Sequence, residues 1–126
     1  MIHLDTSVLI DALTHRRRSL AHVRQEIETG ERLGVCTLVL YEWRRGPRTP
    51  EEIEAQEALF PTSGAVSFGS DEALQAAALY RALSRPRARA VDLAVAACAL
   101  VHGAALWTLN PEDFEDVPGL TLHRPR

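Results

Sequence analysis

The alternation of short apolar segments with longer helical patterns constrains the fold of this chain most. Six segments have helical periodicity, at residues 7–13, 20–29, 38–45, 50–60, 71–83 and 91–102. Five short segments are typical of buried strands, at residues 2–5, 34–37, 65–68, 105–108 and 120–122. This order predicts an α/β fold, in which helices cover both faces of a central parallel sheet. The length of 126 residues fits a single domain, residues 1–126.

Two helix starts carry capping signals. Thr6 or Ser7 is suited to cap the helix over residues 7–13. Thr49, Pro50 and Glu52 together predict a capping box with proline in the first turn. We therefore expect firm helix boundaries at both places.

The composition is that of an ordinary globular protein, and it excludes several classes of function. No apolar run approaches the roughly 20 residues of a membrane span, and the N-terminus lacks the features of a signal peptide. We therefore expect a cytoplasmic protein without a membrane partner. All fourteen basic residues are arginine, which excludes mechanisms that need a lysine. The net charge of −3 argues against broad coating of duplex nucleic acid but leaves room for a local basic rim.

The cysteines and histidines give little indication of a functional site. Cys36 and Cys98 each lie in an apolar run, and we interpret them as buried free thiols, with a disulfide as the alternative. The histidines show no metal-ligand spacing, so we expect them at the surface or at helix ends. They are His3, His15, His22, His102 and His123.

Four acidic residues stand in places where an acid needs an explanation. Asp5 ends the first predicted strand, where a buried unpaired charge would be costly and where α/β sheets bind ligands. Asp92 lies in the first turn of a helix that is otherwise apolar all round. Glu42 has apolar neighbours on both sides of its helix, and Asp113 closely follows the fourth predicted strand.

Each acid alone has an ordinary explanation. Asp92 could cap its helix, Glu42 could pair with Arg44 or Arg45 in solvent, and Asp113 could be a turn residue. The set is more informative, because these segments bring their carboxylates to one edge of one sheet. Gathered carboxylates repel one another, and oxygen-only ligands suit Mg²⁺ or Mn²⁺. The sequence therefore predicts a divalent metal at this edge.

The same residues, taken in order, resemble a known family. The motifs are Asp5-Thr6-Ser7, Glu42 followed by Gly46, Asp92 opening an apolar stretch to Ala97, and Thr108-x-Asn110-x-x-Asp113-Phe114. Their order and spacing resemble the PIN-domain ribonucleases, and more closely the VapC toxins of bacterial toxin–antitoxin pairs. The resemblance implies a PIN-like fold with about five short parallel strands sandwiched by helices. It also implies Mg²⁺- or Mn²⁺-dependent cleavage of single-stranded or structured RNA.

The resemblance assigns roles to individual residues. It implies a catalytic quartet of Asp5, Glu42, Asp92 and Asp113. Of these, Asp5, Asp92 and Asp113 would hold metal directly or through water, and Glu42 would complete the site or orient the attacking water. Hydrolysis of the two-metal type would leave a 5′-phosphate and a 3′-hydroxyl. The supporting polar positions are Thr6, Ser7, Thr108 and Asn110.

The chain departs from the family's pattern where RNA is contacted. Leu109 and Pro111 stand where relatives often have polar or basic residues, and the usual lysine is absent. Arginine would therefore supply the RNA contacts, and neutralising Arg87 and Arg89 together should flatten the salt dependence of binding. For any single arginine, surface pairing is the alternative. The candidates are Arg44, Arg45, Arg48, Arg85, Arg87, Arg89 and residues 16–18.

Partners and rival functions follow from the same resemblance. It implies a VapB-like antitoxin on the early helices and a homodimer, with Trp43 either an interface anchor or a core residue. A receiver or phosphatase domain also gathers acids at strand ends, but those families use a lysine that this chain lacks. The remaining alternative is a catalytically weak PIN-like module that only binds or regulates a partner.

Overall fold

The sheet is built around the first strand of the chain. The structure, a computed structural model, describes residues 1–14 and 17–125. Three strands pair in it: β1 (Ile2–Leu4), β2 (Leu33–Gly34) and β3 (Ala105–Trp107). The spatial order is β2-β1-β3 and both pairings are parallel. All of β1 is buried, as predicted for a central opening strand.

Six helices flank this sheet in the described part of the chain. They begin and end within one residue of the predicted positions, because their periodicity and their ends are local signals. The prediction of an α/β fold with a parallel sheet flanked by helices is confirmed. The helices are α1 (Thr6–Leu13), α2 (Leu20–Glu28), α3 (Thr37–Arg45), α4 (Pro50–Leu59), α5 (Ser70–Ala82) and α6 (Ala90–Val101). Within residues 1–14 and 17–125, every helix is too short or too polar to cross a bilayer.

Two of the five predicted strands are reduced to single bridges. Val66 pairs with Cys36 beyond β2, and Leu122 pairs with Leu106 of β3, both in parallel. These outer segments are bounded by glycine or by Pro-Gly, which shorten a regular ladder. Five segments therefore lie side by side as expected, but the described residues form only three regular strands.

The two predicted caps have different outcomes. At α4 the capping box is present: the Glu52 amide donates to Thr49 Oγ1 at 3.1 Å, and the Thr49 amide donates to Glu52 Oε1 at 2.9 Å. At α1 the prediction is wrong, because Asp5 is the N-cap residue and its side chain makes no capping bond. Thr6 and Ser7 lie inside the first turn, where their hydroxyls bind acidic side chains instead.

The core settles two questions that the sequence left open. Cys36 and Cys98 are free and buried, so the thiol interpretation is correct. Trp43 is fully buried among the core residues, so it belongs to the core and cannot anchor a partner in this conformation. The apolar helix α6 is buried along Leu93–Ala99 except at Ala94, as a helix apolar all round predicts.

His3 contradicts the expected surface or helix-end position. Its side chain is 2% exposed in the central strand, and neither ring nitrogen has a hydrogen-bond partner. Its ring lies against His102, with 5.9 Å between the ring centroids. His102 itself follows the last residue of α6, as expected of a helix-end histidine. His15 lies outside the described residues.

Candidate active site

Asp5 lies where β1 ends, and its neighbours fix its carboxylate. Its amide donates to the Trp107 carbonyl oxygen at 2.8 Å, which joins the ends of β1 and β3. Its carboxylate oxygen Oδ2 accepts from the Thr108 hydroxyl at 2.8 Å and from the Ser7 hydroxyl at 3.0 Å. The residue is 6% exposed. Asp5 is therefore a buried acid whose carboxylate accepts from two hydroxyls and whose amide is hydrogen-bonded within the sheet.

The two hydroxyls are themselves held by the backbone that follows β3. Ser7 Oγ accepts from the Leu109 amide at 3.1 Å, and Thr108 Oγ1 accepts from the Asn110 amide at 3.0 Å. The hydroxyl oxygens are 3.4 Å apart. Because each hydroxyl accepts from an amide while it donates to Asp5, its direction is set. Asn110 contributes here through its amide, while the residue as a whole is exposed.

Glu42 reaches the same edge from α3. The Thr6 hydroxyl in the first turn of α1 donates to Glu42 Oε1 at 2.6 Å. The other oxygen, Oε2, lies 3.5 Å from Arg45 Nη2, and the Glu42 side chain is 20% exposed. Glu42 thus lies beside the turn of Asp5, and it also makes the pairing with Arg45 that was its alternative explanation. Thr6 connects Glu42 to the turn that carries Asp5.

Asp92 shows that the four acids share one electrostatic environment. It lies in the first turn of α6, where the helix dipole favours the ionised form. Its pKa is nevertheless raised to about 6, first by burial and then by the negative charges of Asp5, Asp113 and Glu42. Arg89 acts in the opposite direction. Burial, together with the gathered acids, therefore outweighs both the helix end and the nearby cation.

Asp113 is the most exposed of the four acids and lies on the solvent side of the site. It ends a short 3₁₀ segment, Pro111–Asp113, that follows β3, and it is exposed. Together with Asp92 and Asp116 it lines a groove of about 390 Å³, whose other wall includes Arg85 and Arg89. Asp92 therefore lines a groove that is partly open to solvent.

The chemistry of these donors fits a hydrated divalent cation. Among residues 1–14 and 17–125, no three His, Cys, Asp or Glu side chains are arranged to enclose a metal ion. Mg²⁺ does not need such a cage, because it usually keeps several waters and binds through one or two carboxylates. The site offers oxygen donors only, and the raised pKa of Asp92 marks negative charge that a cation would neutralise.

Two of the candidate RNA-binding arginines are occupied within the protein. Arg44 donates to Gln56 Oε1 at 2.9 Å and to Glu57 Oε2 at 2.9 Å, which fixes it between α3 and α4. The Arg48 guanidinium stacks over the Trp43 ring at 4.1 Å and donates to the Trp43 carbonyl oxygen. Both guanidinium groups therefore have partners within the protein, although the Arg44 side chain is still 40% exposed.

The remaining candidates divide into exposed and engaged side chains. Arg45, Arg85 and Arg87 are exposed, as are Arg17 and Arg18, whereas Arg16 lies outside the described residues. The Arg89 side chain is only 16% exposed and is paired with Asp116. Sequence reasoning missed Asp116, because an acid 27 residues beyond its partner has no local signal.

Comparisons with known proteins agree with this architecture. The family model described as PIN domain matches residues 2–120. A chain of the DNA-bound VapBC structure from Salmonella typhimurium superposes with a TM-score of 0.76 at 18% identity, covering 97% of this chain and 96% of that one. A chain of a toxin–antitoxin complex from Klebsiella pneumoniae gives 0.73 at 23% identity, with 100% of both chains covered.

A third structure gives the same result. In VapBC2 from Rickettsia felis, bound to a DNA fragment from its promoter, the matching chain has a TM-score of 0.71 at 18% identity, with 98% of both chains covered. No curated protein matches the sequence. At these identities the structures share the fold, whereas the family model covers almost the whole sequence. The chain belongs to the PIN-domain family.

Proposed function

We propose that this protein is a metal-dependent endoribonuclease and the VapC-like toxin of a toxin–antitoxin pair, with residues 1–126 acting as one domain. PIN domains are generally nucleases and typically use divalent metals. The structures with the same fold include VapBC complexes from two bacteria and a third toxin–antitoxin complex. The observation that carries the proposal is the gathering of acids at one sheet edge, where Thr6 holds Glu42 beside the turn of Asp5 and where Asp92 senses the charges of Asp5, Asp113 and Glu42.

In the proposed site, Asp5 and Asp92 hold Mg²⁺ or Mn²⁺, with Asp113 directly or through water. One or two ions held there would supply Lewis-acid polarisation of the phosphodiester and a more acidic water molecule. Ser7 and Thr108 keep the Asp5 carboxylate in one orientation, which limits the reorganisation needed when substrate arrives.

Glu42 is the group we assign to the attacking water. Thr6 fixes one of its oxygens, and the other remains near the exposed side chain of Arg45, so it can accept a hydrogen bond from water. The water oxygen bonds to phosphorus as the bond to the 3′-oxygen breaks. The products carry a 5′-phosphate and a 3′-hydroxyl.

The partners we infer are those of such a toxin in the cytoplasm. RNA is the substrate, with Arg45, Arg85 and Arg87 as the exposed candidates for phosphate contacts. A VapB-like antitoxin is the proposed protein partner, since related folds occur in VapBC complexes. A homodimer is the proposed oligomer.

The test is cleavage of an end-labelled RNA by protein stripped of metal with a chelator. We expect cutting to require added Mg²⁺ or Mn²⁺, and Asp5→Asn to reduce the rate on the order of a thousandfold while the fold persists. Glu54→Gln, which changes an exposed acid on α4, is the matched control and should cut like wild type.

Three results would overturn the proposal: no cutting by wild type with metal, undiminished cutting in excess chelator, or wild-type rates from Asp5→Asn. Binding of RNA without cleavage would favour the catalytically weak binding module instead.

A further inference from the structure

Arg89 joins three segments around the acidic groove. It lies at the N-cap of α6, three residues before Asp92. One guanidinium nitrogen, Nη1, donates to Asp116 Oδ2 at 2.8 Å and to the Ser84 carbonyl oxygen at 3.3 Å. The other, Nη2, donates to Asp116 Oδ1 and to the Asp113 carbonyl oxygen at 2.9 Å. The start of α6 is thereby tied to the loop that carries Asp113.

The geometry of this contact is that of a structural pair. Both terminal nitrogens point at the two Asp116 oxygens, which is the bidentate arrangement that arginine forms with a carboxylate. Burial of the Arg89 side chain leaves little of it facing solvent. The guanidinium also holds the pKa of Asp116 below its usual range. A phosphate could reach Arg89 only by displacing Asp116.

The loop needs such an attachment because Asp113 is otherwise far along the chain from Asp92. Its own bonds are local: the Asp113 amide donates to the Asn110 carbonyl oxygen at 3.0 Å. The bond from Arg89 to the Asp113 carbonyl oxygen spans 24 residues and joins the backbone of Asp113 to the helix of Asp92. Phe114 and Val117 anchor the loop in the core, and Arg89 adds a direct connection between the backbone of Asp113 and the helix of Asp92.

We propose that Arg89 and Asp116 form a clamp that sets the position of Asp113 relative to Asp92, and that Arg89 is a positioning residue and not an RNA contact. The inference rests on the proposed nuclease function, and it reverses the sequence-based assignment of Arg89. The neighbouring Arg87 is exposed and remains a candidate for phosphate binding.

The first test is a double-mutant cycle on RNA cleavage, with Arg89→Gln, Asp116→Asn and the double variant. We expect each single change to lower kcat about tenfold to thirtyfold with KM within about twofold, because positioning acts on the reaction step. The double variant should be no worse than either single one, since both remove the same contact. Arg89→Lys should restore little, because lysine lacks the planar fork.

The second test is the salt dependence of RNA binding, measured with the cleavage-deficient Asp5→Asn protein. Adding Arg89→Gln should leave the slope of log affinity against log salt unchanged. Arg87→Gln, the matched control two residues away, should reduce the slope by about 0.7, the value for one phosphate contact on a single strand.

The outcomes separate the clamp from the function on which it rests. A wild-type protein that fails to cut RNA overturns the proposed function. A wild-type protein that cuts, combined with additive losses in the cycle or a smaller salt slope for Arg89→Gln, overturns the clamp alone. Should Arg89→Gln fail to fold by circular dichroism, Asp116→Asn decides the matter, since it alters an exposed side chain. Unchanged kcat in that variant would also overturn the clamp.

Discussion

The two ends of α6 each lie beside a carboxylate, and the pKa values of these carboxylates are shifted in opposite directions. At the first turn, burial and three other acids raise the pKa of Asp92 to about 6. Just after the last turn, Oε2 of Glu72 in α5 lies 3.0 Å from Nε2 of His102. The pKa of Glu72 is lowered, first by its own amide and then by the Gly69 amide and His102.

The difference separates a satisfied charge from an unsatisfied one. Glu72 accepts from backbone amides and an imidazole, so its ionised form is already stabilised by the protein. Asp92 has the favourable end of the same helix, and its pKa is still raised above the ordinary value. Charge that the protein leaves unsatisfied is charge that a cation can satisfy, which is why we place the metal at the first end.

The largest expected effect is that of Asp92→Asn. We expect cleavage to fall on the order of a thousandfold, because a metal ligand is lost. In chelator at pH 8, however, the free energy of unfolding should rise by roughly 1–2 kcal/mol, because Asp92 is only half-buried and solvent screens part of the shift. The folded pKa of about 6 lies above the unfolded value of 3.8, so wild-type stability declines as pH rises through this range. Urea denaturation of wild type and Asp92→Asn at pH 4 and pH 8 measures these free energies of unfolding.

In chelator we expect Asp92→Asn to be more stable than wild type, and added Mn²⁺ should reverse this order. It should raise the melting temperature of wild type and leave that of Asp92→Asn unchanged. A variant that is less stable than wild type in chelator would show that Asp92 is an ordinary helix cap.

The second effect concerns His3, which lies against the last turn of α6. Burial, then His102, then the N-terminal amine lower its pKa from 6.5 to about 4. The unfolded chain therefore binds this proton first, so His3 should contribute a decline of about 3 kcal/mol in the free energy of unfolding as pH drops from 6.5 to 4, opposite in sign to the contribution of Asp92. His3→Leu should lack this decline, whereas His22→Leu on α2 should retain it. Identical pH profiles for wild type and His3→Leu would contradict the burial argument.

The smallest effect is that of Glu72→Gln. It removes a charged partner from His102 and weakens the bond at Gly69, so we expect a small fall in the free energy of unfolding at pH 7. Metal-dependent cleavage should remain within about twofold of wild type. Glu54→Gln again serves as the exposed control. A large loss of cleavage by Glu72→Gln with unchanged stability would contradict the assignment of catalysis to the Asp92 end of α6 and of stability to the Glu72 end.

Local signals explain what the sequence could predict. The helix limits, the capping box at Thr49 and the positions of the acids relative to strand ends depend on neighbouring residues, and each is visible in the sequence. The order of motifs also identified the family correctly.

The failures all involve partners distant in sequence. Thr6 binds Glu42 across 36 positions, so nothing in the sequence indicated that its hydroxyl would bind an acid and not cap α1. Arg89 binds Asp116 across 27 positions, so its pairing could not be foreseen either. His3 was wrongly expected at the surface or at a helix end, although its own segment was predicted to be a buried strand. The reduction of two strands to bridges depends on register, which a four-residue segment does not specify.

The outermost bridges have a further consequence for association with other chains. A long unpaired edge strand is a template on which another polypeptide can add and aggregate. Here each flank of the sheet ends in a segment that bridges through one residue, Val66 on one side and Leu122 on the other. Such flanks provide very little template, so we expect recruitment of another chain to use helical surfaces and not extension of the sheet.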